Sequence, residues 1–348
     1  AVELVHVTER MFIQAGADER VSLLLLSDFH LNHANRFATL QTKYINKVNE
    51  ITVGSAAGYS LFVSDLPQDL LELAAMSLSK LPKGILRELG EDATVRIGEV
   101  VGDIKFFVRP LSEWKKLKIK PKYLFPLLTK AAQISGVYIE DHMGEFGTEK
   151  IPYLLIPPYK RIPNSIKEYL SAYSSDDIEK SQTFKRRPSW CQCTYDVSAD
   201  AFIGSINHEY PRMIANGASI SCSNAFYKIR IKNDEVLRRW LPLISLSTPF
   251  RLTSEMLGRV RGSGGIKLEP SDVKKLLIPS SFPIIDEVDF SKFQGKIRNF
   301  LLNGELEQAT NFIDEVIFVK TGLLYREEIN TLQDIRLKLT NRRLNRVI

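Results

Sequence analysis

A mixed α+β fold is expected for this 348-residue chain, on three observations. Near the start, VSLLLLSDF is a continuous apolar run of the kind found in a strand buried on both faces. From 210 to 232 the residues alternate like strands around Asn216-Gly217, a dipeptide that favours a hairpin turn. Helical spacing appears in LPQDLLELAAMSLSKLPKGILRELG, where Leu70, Leu73, Ala74 and Leu78 fall at i, i+3, i+4 and i+8, and again from Val288 onward.

Taken in order, residues 1–35 read as two strands around the polar turn IQAGADER, which contains Gly16. Val2, Leu4 and His6 alternate with Glu3 and Val5 in the first strand. Two strands do not fold alone, so they are expected to complete a sheet whose other strands lie upstream of residue 1. The chain opens directly in this pattern without an initiator Met, which reads as a piece of something longer. Residues 36–90 read as a helical connector, with Asp69 and Glu72 near a helix start and Pro82 and Gly84 interrupting it.

Residues 91–280 change character and read as a mixed α/β domain. ATVRIGEVVGDIKFFVRPLSEW brings β-branched residues, Gly98, Gly102, Phe106 and Phe107. Behind it Lys115, Lys116, Lys118, Lys120 and Lys122 crowd a short stretch, as either a solvated face or a phosphate-tracking patch. IKEYLSAYSSDDIEK reads as helix, and Lys185, Arg186, Arg187, Pro188, Ser189 and Trp190 as a basic turn ending on an aromatic. After the alternating segment, EVLRRWLPLISLSTPFRLTSEMLGR is helix-rich and leads into Glu255–Pro279. That stretch holds Arg259, Arg261, the small residues Gly262, Ser263, Gly264 and Gly265, and Lys267, either a basic surface loop or an anion-binding one. Residues 281–348 read as a helical extension with Phe312, Ile313, Val316 and Ile317 on one face. Its basic end, QDIRLKLTNRRLNRVI, suits either a packing helix or a DNA-contacting tail.

Composition is that of an ordinary globular protein, 44% hydrophobic and 25% charged, and the net charge of +6 leans toward a polyanionic partner. Cys191, Cys193 and Cys222 do not make a disulfide framework or a zinc set and read as reduced thiols of a cytoplasmic protein. No run of 18 apolar residues argues for a membrane. Of His6, His30, His33, His142 and His208, only His30 and His33 are near one another, and no partner completes a metal set. No G-x-S-x-G, H-E-x-x-H or P-loop is present, and the glycine run lacks G-x-G-x-x-G spacing. Ile156-Pro157-Pro158-Tyr159 imitates an amino-methyltransferase motif, but Ile156 has no acceptor for the target amino group. No catalytic residues, no metal site and no cofactor site are therefore assigned in this chain.

Six stretches in this order carry a resemblance: VHVTERMFIQAGADERVSLLLLS, RIGEVVGDIKFFV, KPKYLFPLLTKAAQISG, FKRRPSWCQC, YPRMIANGASISCSNAFYKI and EMLGRVRGSGGIKLEPSDVKKLLIP. The chain resembles the C-terminal part of adenine-N6 DNA methyltransferases of bacterial restriction-modification systems, whose catalytic domain precedes a target-recognition domain. The resemblance implies that residues 1–35 are the last hairpin of an α/β catalytic sheet, 91–280 the recognition domain and 281–348 a helical extension. It also implies that S-adenosylmethionine serves the parent enzyme through an upstream catalytic domain in cis, that the partner is double-stranded DNA, and that this portion alone does not methylate. Phosphate-positioning roles fall to Lys115, Lys116, Lys118, Lys120, Lys122, Arg186, Arg187, Arg259, Arg261 and Lys267, with Ser263 and the glycine backbone letting a strand pass close. Trp190 and Phe107 suit a core better than base stacking. Two other readings stay open: a stand-alone specificity subunit that recruits a separate enzyme, and a scaffold whose basic face meets acidic protein.

Overall fold

The computed structural model describes residues 2–7, 21–26 and 40–45 as strands, and residues 70–134, 136–139, 151–261 and 264–344 in full. The turn with Gly16, the histidines His30, His33 and His142, and Gly262 and Ser263 lie outside the described residues. Strands β1 (Val2–Val7) and β2 (Val21–Leu26) pair antiparallel, with Val2 opposite Leu26. A third strand, β3 (Leu40–Ile45), runs parallel to β1. The helical reading of 36–90 is corrected here: LQTKYI is strand, and its Thr, Tyr and Ile are residues that strands favour. The remainder of that stretch, where described, holds α1 (Leu70–Ser79), β4 (Leu86–Glu88) and the start of α2 (Leu89–Asp92).

The chain continues through β5 (Ala93–Ile97), α3 (Ile104–Phe107), β6 (Val108–Arg109), α4 (Leu111–Lys116), β7 (Leu124–Leu128), β8 (Tyr138–Ile139) and β9 (Tyr153–Leu155). Three short helices follow, α5 (Asn164–Ser171), α6 (Ser175–Lys180) and α7 (Gln182–Lys185). Next come β10 (Ala201–Gly204), β11 (Ile206–Asn207), β12 (Met213–Asn216), β13 (Ser221–Cys222) and β14 (Phe226–Ile231). Then α8 (Glu235–Ile244), α9 (Thr248–Leu257), β15 (Arg259–Val260), β16 (Ile266–Lys267), α10 (Pro270–Lys274) and β17 (Leu277–Pro279) lead to the C-terminal helices. These are α11 (Glu287–Leu302), α12 (Leu306–Asp314), a π-helical turn (Glu315–Val319) and α13 (Arg326–Leu344).

At the centre is a five-stranded sheet, ordered β5-β14-β10-β12-β8. Along β10, Ala201 and Ile203 enter a large core with Trp240, Phe290 and Ile317, while Phe202 joins a second cluster with Leu128 and Ile214. Successive strand residues point to opposite faces, so the middle of this sheet is buried on both sides. Helices α8, α10, α11 and α12 supply the first core. A small four-stranded sheet, β13-β7-β9-β6, supplies part of the second.

The hairpin expected at Asn216-Gly217 is also corrected. Strand β12 lies between β10 and β8, whereas β13 pairs with β7 in the small sheet. The Asn216 carboxamide holds this crossing: Nδ2 donates to the carbonyls of Ala199 (3.0 Å) and Ile220 (2.9 Å), and Oδ1 accepts from the Ile220 N–H (3.0 Å). The dipeptide thus turns the chain from one sheet into another. The basic terminal helix takes the packing role of the two open to it. Ile335 and Leu339 of α13 pack with Ala74 of α1 and Leu252 of α9, and its Arg336 and Arg343 are buried.

Candidate nucleic-acid interface

Leu124 opens β7, Leu155 closes β9, and the two are paired. The loop entering β7 and the loop leaving β9 therefore emerge at one end of the small sheet, tied by an Ile156 N–H to Tyr123 carbonyl bond of 2.9 Å. Ile119 of the first loop and Ile162 of the second share a cluster with Trp114, Leu124 and Leu155. Helix α4 ends as its sequence allows: the Ile119 N–H reaches the Trp114 carbonyl at 3.1 Å and the Lys118 N–H reaches the Lys115 carbonyl at 3.0 Å. This closure needs a left-handed residue, usually glycine, and here it is Lys118 with φ 56°.

The result is a ridge of cations. Lys115, Lys116, Lys118, Lys120 and Lys122 are all exposed, and the second loop adds exposed Lys160 and Arg161, which sequence reasoning missed. None of the seven pairs with an acidic group among the described residues. Lys122 sits 5.0 Å over the Tyr123 ring, leaving its ammonium in solvent.

The other nominated residues lie elsewhere. Arg186 is exposed after α7. Arg187 is engaged within the protein, donating to the carbonyls of Val100 and of Trp190 (3.1 Å) and resting 5.4 Å over the Phe184 ring. Phe107 and Trp190 belong to an aromatic cluster with Phe106, Tyr173 and Phe184. Arg259 and Arg261 are exposed on and beside β15, and Lys267 on β16 is bound to Glu269 at 2.6 Å. Behind this ribbon, Gly264 is backed by α13. Arg343 of α13 donates to the carbonyls of Gly264, His208 (2.7 Å) and Glu209 (3.3 Å) and pairs with Glu255 at 2.8 Å. A Cβ on Gly264 would stand 3.1 Å from the Arg343 carbonyl.

A second basic feature went unrecognised in the sequence although its signal is there. In YKIRIK the residues Tyr227, Ile229 and Ile231 enter the core, so Lys228, Arg230 and Lys232 take the opposite face. The register places Lys228 opposite Arg96 on one side and Phe202 on the other. Together with Thr94, Asp196 and Ser198 they line a hollow of about 280 Å³. Arg96 and Arg230 are exposed and unpaired with acidic groups among the described residues. Lys228 is buried because Glu99 is: the Glu99 carboxylate accepts from Lys228 Nζ (2.5 Å), Ser221 Oγ (2.7 Å), Thr194 Oγ1 (2.6 Å) and the Asp196 N–H (2.8 Å). This hub joins β14, β13 and the 194–196 loop at the foot of the hollow.

Among the described residues no group of three or more His, Cys, Asp or Glu side chains gathers for a metal, and no helix is long and apolar enough to cross a membrane. Burial pushes the Cys193 thiol up to about 11 and that of buried Cys222 further, so neither is a thiolate at neutral pH.

The sequence model of the family described as type II methyltransferase M.Eco57I, C-terminal domain, matches residues 71–318. No curated protein matches the chain. Among solved structures, the type IIG restriction endonuclease BpuSI is similar with TM-score 0.50 and 17% identity, over 80% of this chain and 33% of that one. The type IIL restriction-modification enzyme MmeI, solved in complex with DNA, gives TM-score 0.40 and 15% identity, over 71% of this chain and 36% of that one. The chain spans about a third of the length of these solved structures.

Proposed function

From the premise that the chain belongs to the family of the C-terminal domain of type II methyltransferase M.Eco57I, we propose that it is the target-recognition portion of a restriction-modification enzyme and binds double-stranded DNA. In this reading the parent is a cytoplasmic adenine-N6 DNA methyltransferase that binds S-adenosylmethionine in an upstream catalytic domain in cis. This portion holds the duplex while the target adenine is turned out of the stack. The observation that carries the reading is the set of seven exposed cations without acidic partners among the described residues, carried by the last turn of α4 and by the two loops at one end of the small sheet. Surface lysines that serve solubility are usually interspersed with acids. A one-signed row instead suits a line of phosphates. Arg96, Arg230, Arg186, Arg259 and Arg261 are further exposed cations at other places in the fold.

Titration of a labelled duplex of about two helical turns by fluorescence anisotropy tests this. If about four ridge cations replace counterions, log K falls against log salt with a slope near −3.6, or about 150-fold between 50 and 200 mM. No binding at 50 mM salt would overturn the proposal. For the parent, the readout is N6-methyladenine in DNA exposed to the full-length enzyme with S-adenosylmethionine.

A further inference from the structure

Tyr159 is 77% exposed. It makes no hydrogen bond or ring contact among the described residues. It belongs to the stretch Ile156-Pro157-Pro158-Tyr159, whose Ile156 has no side-chain acceptor for an amino group. The loop that carries it is firmly built. Pro157 is buried, and its carbonyl accepts from Gln192 Nε2 at 2.7 Å. Pro158 follows with its φ fixed by the ring, so the two prolines restrict how Tyr159 leaves the sheet. Just after it Arg161 holds a left-handed φ of 55°, and across the ridge Lys118 holds 56°. Three residues before it the Ile156 N–H bonds the Tyr123 carbonyl, and three residues after it Ile162 joins Ile119 in one apolar cluster, so the loop of Tyr159, Lys160 and Arg161 is anchored at both ends beside the loop of Lys118, Lys120 and Lys122.

An unpartnered aromatic ring on a stiff stem, with exposed cations on its own loop and on the neighbouring one, has the composition of a nucleobase contact, in which the cations take phosphates and the ring takes a base face. We infer that Tyr159 stacks on a base of the bound DNA, at a step opened or distorted by the contact, while Lys118, Lys120, Lys122, Lys160 and Arg161 hold the flanking phosphates. The inference rests on the DNA-binding reading above and adds a stacking contact to an otherwise electrostatic ridge.

The test compares the 348-residue chain with its Tyr159→Ala, Tyr159→Phe and Lys160→Ala/Arg161→Ala variants on the same fluorescein-labelled duplex, with and without one central mismatch. Because the side chain is exposed, circular dichroism and the melting temperature should not change in any of them. Tyr159→Ala should weaken binding roughly tenfold with an unchanged salt slope, whereas Tyr159→Phe keeps the affinity. The double variant should weaken binding and reduce the slope by about two. The mismatched duplex should bind the wild type more tightly than the paired one and lose this advantage in Tyr159→Ala. Wild-type affinity in Tyr159→Ala would overturn the stacking contact while leaving DNA binding standing, and equal losses in Ala and Phe would replace stacking by a hydroxyl contact. Failure of the wild type to bind either duplex would overturn the DNA-binding reading itself.

Discussion

Replacing Glu99 by leucine should show how firmly the hollow is built. The variant strands Lys228, whose side chain is 8% exposed, and leaves Asp196 as the remaining acid within reach, at 3.6 Å from a carboxylate 47% exposed. Removing one partner of a buried pair costs about 3–5 kcal/mol because the other charge stays desolvated. Thr194, Ser221 and the Asp196 N–H lose their acceptor as well, which places the loss at the upper end, near 5 kcal/mol. That is a large part of the roughly 5–15 kcal/mol that holds a domain. Lys228→Met should cost less, since three donors still satisfy the carboxylate. Glu99→Leu with Lys228→Met should fall well short of the sum, by about 2–3 kcal/mol of coupling. Urea denaturation at neutral pH, read by tryptophan fluorescence, gives all three values, and salt should not change them because the pair is shielded from solvent. A Glu99→Leu cost below about 1 kcal/mol, or strict additivity, would refute the view that this pair is the hub joining the two sheets.

Two further predictions concern the C-terminal half. Asp314 is 2% exposed, and burial pushes its carboxyl up to about 6 from an ordinary 3.8, against the pull of Thr248, Arg336 and Arg251. The folded state therefore binds this proton more tightly than the unfolded chain, and stability falls as pH rises from about 4 to 6. Asp314→Asn should remove that fall and raise stability at pH 7.5 by up to about 3 kcal/mol; parallel stability curves for the two proteins would count against it. Gly264 has φ +80° with the Arg343 carbonyl and Leu344 near its missing Cβ, whereas Gly84 has φ +81° and open space. Gly264→Ala should lower the melting temperature by more than Gly84→Ala, which carries the backbone penalty of about 1–2 kcal/mol alone, and equal shifts would show that α13 yields to the methyl group.

Where local pattern decides the outcome, the sequence was a good guide. The helical faces of α1 and of the 312–317 segment, the leucine-rich β2 and the alternation of β14 follow from spacing within a few residues. The same reasoning failed wherever the answer depends on which distant segment pairs with which. Asn216-Gly217 has the residues of a hairpin, but β12 and β13 find partners about 10 and 90 residues away and separate into two sheets. Lys160, Arg161 and Tyr159 become neighbours of the lysine run only because β7 pairs with β9. The cations of YKIRIK were legible as one strand face, yet nothing local said that Arg96 would stand across from Lys228. Conversely, nothing local in the basic glycine stretch said that Gly264 would be held by Arg343, 79 residues later.

That last contact bears on the order of synthesis. Arg343 and the Gly264 carbonyl it holds are separated by 79 residues in the chain. At a translation rate of about 5–20 residues per second, the loop waits on the order of 4 to 16 s before its partner is made. During that interval the carbonyls of His208, Glu209 and Gly264 have no guanidinium, and Glu255 has no counter-ion from α13. The ribbon bearing Arg259 and Arg261 is thus set late, and a stall or nick ahead of Arg343 would release a chain whose central sheet can form but whose basic ribbon has lost its backing.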